Sequence, residues 1–182
     1  PISFNSFKGG FLLYFRGDQV PGFARLKADD PAHVLPGYDY DVVSEDALLH
    51  RIVALRGMLA TPEGLRYQAL ALPRSGMLSL ASLHWIEKYV REGGFLIGPR
   101  PKGTLGLQTP SEEKEYAAMA TRMWSGCAEN AVVSYGAGRI YCTLDSHAAL
   151  AAFSMAPDFE YRDAMQANST QFDYVHHEIS NA

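Results

Sequence analysis

Two kinds of apolar pattern alternate along this chain. Short apolar runs bounded by turn residues are typical of buried strands, and longer segments carry apolar residues in a stripe. The runs occupy residues 11–15, 38–43, 67–72, 95–97, 132–133, 139–142 and 172–177. Between several of them, apolar residues recur every three or four positions, as they do on the buried side of a helix. These stripes lie within residues 48–53, 80–90, 116–123 and 147–153. The alternation predicts a three-layer α/β fold, with a mostly parallel sheet and helices on both faces.

Polar and turn residues mark where several of these elements begin and end. Ser44 can cap the first helix because its hydroxyl can accept from a free N–H of the first turn. Asp145 or Ser146 can cap the last helix in the same way. The glycine pair at 93–94 predicts the end of the second helix, and residues 57–64 predict a small excursion such as a hairpin.

Composition places the chain among globular proteins and argues against two classes of partner. It has 182 residues, 47% hydrophobic and 20% charged, which is enough for one domain with a substantial core. Its 16 basic and 20 acidic residues give a net charge of −4, which disfavours nucleic acid as a partner. There is no apolar run of about 18 residues, so we expect no membrane partner. The chain opens with Pro1 and shows no signal-peptide pattern, so we expect it to be a piece of a longer protein.

The chain has two cysteines, Cys127 and Cys142, and neither belongs to a Cys-x-x-Cys motif. This spacing argues against a zinc or thioredoxin-like site. One disulfide is allowed by the count alone, but two ordinary thiols are the interpretation that we favour.

Five phrases, in this order, resemble the segment that follows the catalytic barrel in glycoside hydrolase family 106, the α-L-rhamnosidases. They are YFRGDQVPGF (14–23), LPGYDYDVVS (35–44), LALP (70–73), GFLIGPRP (94–101) and APDF (156–159). The phrase PGYDYD is the most specific of them. Residues 174–177 and 180–182 are similar to the start of the next β domain, although His177 stands where the family pattern has an arginine.

This resemblance implies an inverting, rhamnose-releasing parent enzyme whose catalytic glutamates and calcium site lie on the upstream barrel. It implies that residues 10–165 form an accessory domain, flavodoxin-like or similar to class I glutamine amidotransferases. Residues 1–9 would then be a remnant of the upstream segment, and residues 166–182 the start of a β domain. The expected partners are the parent's barrel and following β domains, with rhamnose-containing glycans bound through the parent. A bacterial periplasmic or secreted location is implied for that parent, and no cofactor is expected in this chain.

Four residues are candidates for contacting substrate or the barrel: Asp18, Tyr38, Asp39 and Asp41. Asp39 and Asp41 would project from one face of a strand about 7 Å apart, and so line one wall rather than flank a sugar. Loop hydrogen bonds are the alternative that we favour for this pair. Asp18 lies in a loop after the first strand, where open α/β sheets place ligands, although a plain structural turn is favoured there.

No catalytic or metal-binding residue is predicted within the chain. An amidotransferase needs a cysteine on a strand-to-helix turn, but Cys127 follows a helix, and Ser75 lacks the Gly-x-Ser-x-Gly surroundings. His176 and His177 would point to opposite faces of a strand, so they could not share one ion. An accessory domain predicts an apolar surface patch. An independent sugar- or small-ligand-binding module predicts a pocket on which Tyr and Asp converge.

Overall fold

The computed structural model describes residues 3–4, 11–15, 38, 40–73, 75–104, 106–157 and 159–160. The strands within them are β1 (Ser3–Phe4), β2 (Phe11–Phe15), β3 (Tyr40–Val43), β4 (Val53–Leu55), β5 (Met58–Ala60), β6 (Arg66–Ala71), β7 (Met77–Leu78), β8 (Phe95–Ile97), β9 (Gly103–Thr104), β10 (Val132–Tyr135), β11 (Gly138–Tyr141) and β12 (Phe159–Glu160). The helices are α1 (Glu45–His50), α2 (Leu80–Arg91), α3 (Pro110–Met123) and α4 (Ser146–Ala152). The predicted strand at 172–177 and the loop at 16–22 lie outside the described residues.

Within the described residues the main sheet has eight strands, and its long path runs β10-β11-β8-β6-β2-β3. From β11 to β3 all neighbours are parallel, whereas β10 joins the edge antiparallel to β11. The hairpin β4–β5 extends the sheet by antiparallel pairing of β5 with β6. Two further strand pairs are separate, β1 with β12 and β7 with β9. The prediction of an α/β fold with a mostly parallel sheet is therefore confirmed.

Successive residues of the central strands point into two different apolar cores, as the period of two in a strand requires. Leu70 and Leu96 pack with residues of α1, α2 and α3 on one face. Ala71 and Ile97, their neighbours in sequence, pack with residues of α4 on the other face. Helices therefore cover both faces of the sheet, as predicted.

Helix α2 matches its predicted apolar stripe. Leu83, Ile86 and Val90 are fully buried. Ser79 caps the start of the helix, where its hydroxyl accepts from the Ser82 N–H at 3.0 Å. The helix gives way to a turn before β8, so the predicted end at the glycine pair is confirmed.

The end of α1 differs from the prediction. Ser44 caps the helix as expected, accepting from the Ala47 N–H at 3.3 Å. The apolar stripe suggested helix as far as Val53, but α1 ends at His50 and Val53 begins β4. The cause is the turn at Arg56 and Gly57, where positive φ angles of 51° and 81° reverse the chain into the β4–β5 hairpin. The hairpin therefore begins earlier than the predicted excursion at 57–64.

The preference for two free thiols is wrong, because Cys127 and Cys142 form a disulfide with their Cα atoms 5.7 Å apart. The turn that follows α3 contains Gly126, whose φ of 78° reverses the chain. This turn brings Cys127 beside Cys142, which directly follows β11. The contact depends on tertiary packing across 15 residues of sequence, which no local motif reveals.

Candidate functional site

A cavity of about 130 Å³ lies at the carboxyl edge of the parallel strands. It is formed by the loops that follow β6 and β8, with one residue from the loop after β11. We call it the edge cavity; its lining residues are Leu72, Pro73, Gly76, Leu78, Pro99, Arg100, Pro101, Lys102 and Leu144. Open α/β sheets bind ligands at this edge, so the position is a favourable one for a site.

Described residues of the two main loops of the edge cavity are joined by backbone pairing. Strands β7 and β9 pair in parallel, with Leu78 opposite Thr104. The Lys102 N–H donates to the Gly76 carbonyl at 2.7 Å. The indole N–H of the buried Trp124 donates to the Gly98 carbonyl at 2.9 Å. These bonds join the walls to each other and to Trp124 at the end of α3.

Two cationic side chains border the edge cavity. The guanidinium of Arg100 donates to the Thr121 hydroxyl at 2.9 Å. Neither Arg100 nor Lys102 takes part in an ion pair among the described residues. Tyr116 fixes the same loop, because its hydroxyl donates to the Gly103 carbonyl at 2.6 Å. Burial raises the pKa of Tyr116 to about 12, with the nearby Arg100 charge opposing part of that rise.

Tyr38 and Asp41, the two predicted site residues that the structure describes, are not among the residues that line this cavity. The Tyr38 hydroxyl donates to the Met155 carbonyl at 2.9 Å, and its ring packs on the α4 side of the sheet. Asp41 is exposed and accepts from the Tyr67 hydroxyl at 2.7 Å, and Tyr67 belongs to the core on the other face. Asp18 and Asp39 lie outside the described residues. The roles of these four residues stay predictions.

Sequence reasoning missed Arg100 and Lys102 as site residues. The phrase Gly-Pro-Arg-Pro at 98–101 indicates the end of the predicted strand at 95–97 and contributes to the family resemblance. It directly follows a strand buried in the sheet, and a cation there must lie near the carboxyl edge. The position of a basic residue after a central strand was therefore the signal that could have found the site.

Comparison with known proteins identifies the family. Residues 9–182 match glycoside hydrolase family 106, described as alpha-L-rhamnosidase. This chain belongs to that family. Its fold is similar to the solved structure of a rhamnosidase from Novosphingobium sp. PP1Y, with a TM-score of 0.72 and 28% identity over 86% of the chain.

A curated relative of this family 106 chain comes from Formosa agariphila and is named "Putative beta-glucuronidase". The two are 32% identical over 114 residues, which is 62% of the chain. The chain spans only 10% of that relative and 15% of the solved rhamnosidase.

The described part of the family 106 chain offers little for nucleophilic or metal chemistry. Its two cysteines are joined to each other, so neither presents a thiol. Ser75 is exposed, and its hydroxyl accepts from the Met77 N–H at 3.3 Å. No cluster of three or more metal-ligating side chains occurs among the described residues. Likewise, no helix in this part of the chain is both long and apolar enough to cross a membrane.

Proposed function

We propose that this chain is an accessory domain of a longer α-L-rhamnosidase-like glycoside hydrolase, which packs beside the catalytic barrel and does not cleave glycosides alone. The observation that carries the proposal is the family match over residues 9–182, together with a structural likeness that covers only 15% of the solved rhamnosidase. Most of such an enzyme, including the barrel and any calcium site, would then lie elsewhere. The substrate of the whole protein would be a rhamnose-containing glycan.

The residues of the edge cavity support the absence of catalysis in this domain. An inverting glycosidase needs two carboxyl groups about 6.5–9.5 Å apart with room for a water between them. None of the described side chains that line the edge cavity is a carboxylate. Asp41, the described member of the predicted pair, bonds the hydroxyl of a buried tyrosine instead.

The strand order supports a flavodoxin-like fold for the domain that we place at residues 10–165. In chain order the five parallel strands are β2, β3, β6, β8 and β11, and they lie side by side in the order 2-1-3-4-5. Flavodoxin and its relatives use this order. A relationship to class I glutamine amidotransferases would agree with it, although the loop after β6 carries no cysteine.

An exposed apolar face on the β4–β5 hairpin supports docking against another part of the parent protein. Val53 and Leu55 are 58% and 53% exposed. Their antiparallel partners Ala60 and Met58 are half-buried and point to the same side. An apolar surface of this kind is typical of a contact with another domain or subunit.

The disulfide supports a location in which thiols are oxidised. Disulfides persist in secreted and periplasmic proteins and are rare in the cytosol of ordinary bacteria. The bond between Cys127 and Cys142 therefore favours a periplasmic or secreted parent.

An independent small-ligand-binding module is the second candidate function. The preformed edge cavity favours it. The convergence of Tyr and Asp that this alternative predicts is absent from the described lining residues, which instead include Arg100 and Lys102. We therefore rank the accessory domain first.

The test begins with the DNA on both sides of the coding segment, which should continue in frame into a barrel upstream and β domains downstream. The whole protein should then release nitrophenol from nitrophenyl α-L-rhamnoside, and the present chain should not. In the whole protein, the double substitution Val53→Asp and Leu55→Asp should weaken the domain contact and so lower solubility or activity. The control substitution Glu92→Gln, at the exposed end of α2, should change neither. Hydrolysis by the present chain alone would overturn the proposal.

A further inference from the structure

The edge cavity combines apolar walls with two cations that have no acidic partner among the described residues. We infer that it binds a small carboxylate whose body presents an apolar face, such as a single uronic acid ring. Nothing in the family match or in the resemblance assigns a ligand to this part of the chain. The inference goes beyond the accessory role, because it concerns binding by this domain whether or not the parent enzyme cleaves rhamnosides.

The walls of the edge cavity are preformed, which lowers the entropy lost on binding. The pairing of β7 with β9 and the bond from the Lys102 N–H to the Gly76 carbonyl join one loop to the other. The Tyr116 hydroxyl and the Trp124 indole each fix a carbonyl of the loop after β8. A ligand therefore meets a shaped cavity rather than two free loops.

The cations supply the charge that a carboxylate needs. Arg100 is oriented by its hydrogen bond to the Thr121 hydroxyl, which uses one of its five N–H donors. The remaining donors form a planar fork that matches the two oxygens of a carboxylate. Lys102 lines the same cavity and adds a second positive charge two residues away.

The backbone of the edge cavity argues against phosphate as the ligand. Phosphate sites are usually built from free backbone N–H groups in glycine-rich loops or at helix starts. Three lining residues, Pro73, Pro99 and Pro101, have no N–H. The N–H groups of Gly76 and Lys102 already donate to carbonyl oxygens. The side chains of Arg100 and Lys102 therefore supply the charged donors of this cavity, which suits a carboxylate.

The size of the cavity limits the body of the ligand to about one ring. A volume of about 130 Å³ is close to that of a cavity in another protein that holds benzene, about 150 Å³. Leu72, Leu78 and Leu144 line it, so an apolar ring face can pack there. A monosaccharide has such a face where its C–H groups point the same way, and a uronic acid adds the carboxylate.

The test is a titration of the isotope-labelled 182-residue chain with sodium glucuronate. Binding is monitored by NMR through the chemical shifts of the backbone amide signals. Glucose and inorganic phosphate are titrated in parallel as the neutral and the phosphate probes. We expect saturable shifts at Gly76, Leu78 and Lys102 with glucuronate, with a dissociation constant of about 1 mM that rises with salt. Arg100→Gln should weaken binding about tenfold.

Lys88→Gln is the matched control, because Lys88 lies in the last turn of α2, at the opposite edge of the sheet from the cavity. It should leave the glucuronate affinity unchanged. If Arg100→Gln fails to fold, Lys102→Gln together with the salt dependence of the unaltered chain supplies the same test. The inference is overturned if no saturable shift occurs up to about 50 mM glucuronate, far above the expected constant. Equal binding of glucose, or tighter binding of phosphate, would also overturn it. None of these results bears on whether the whole protein hydrolyses rhamnosides.

Discussion

Removal of the Cys127–Cys142 disulfide should destabilise the domain substantially. The bond closes a loop with a sequence separation of 15 residues. By restricting the unfolded chain, a cross-link that closes a loop of this length stabilises the folded state by about 3 kcal/mol. The Cys127→Ala and Cys142→Ala double variant removes the bond and leaves no reactive thiol. We therefore expect its free energy of unfolding to be lower by about 3 kcal/mol.

Urea unfolding measures this change directly. With a denaturant dependence of about 2 kcal/mol per molar, the midpoint of the double variant should fall by about 1.5 M. Reduction of the unaltered chain should reproduce the shift, and the same reductant should leave the double variant unchanged. Thiol titration should detect two free groups only after reduction. A midpoint shift below about 0.5 M, well under the loop-closure value, would refute the reasoning.

Four further predictions concern tertiary contacts and backbone positions. Tyr89→Phe removes the hydroxyl that bonds both the N–H and the carbonyl of Phe95, so urea unfolding should show a loss of about 1–3 kcal/mol. Burial raises the pKa of Tyr116 from 10.0 to about 12, so as the pH rises the unfolded chain loses this proton before the folded chain does. The free energy of unfolding, measured with urea, should therefore decrease as the pH is raised from 10 to about 12. Thr109→Ala removes the capping box of α3 and should cost about 1 kcal/mol, measured as a lower unfolding midpoint. Gly57→Ala places a methyl 2.6 Å from a facing carbonyl oxygen at a φ of 81°, so calorimetry should show a lower Tm; an unchanged Tm would contradict the close packing.

The elements that the sequence predicts well are those whose signals are local. Leu83, Ile86 and Val90 recur at helical spacing, and the glycine pair at 93–94 follows them. The error at Val53 arose because an apolar residue after a short helix fits its stripe and the following strand equally well. Only the turn at Arg56 and Gly57 decides between them.

The disulfide and the edge cavity could not be predicted in the same way. Both depend on residues from separate elements that meet only after the sheet is assembled. Cys127 and Cys142 are brought together by the turn after α3, and the cavity by two loops joined through β7 and β9. Charge and spacing make Asp41 a candidate in the sequence, but Asp41 bonds a tyrosine and is not among the residues that line the cavity.

The disulfide also bears on aggregation, because the loop that it closes contains the edge strand β10. An edge strand presents unpaired backbone groups that can pair with another chain. Cys142 directly follows β11, and its N–H donates to the Ala131 carbonyl just before β10, so the bond lies at the open end of this hairpin. While the bond is intact, β10 cannot separate far from β11 and expose the edge of the parallel strand. The cross-link therefore keeps the β11 edge covered by β10, which limits the backbone that is open to pairing with another chain.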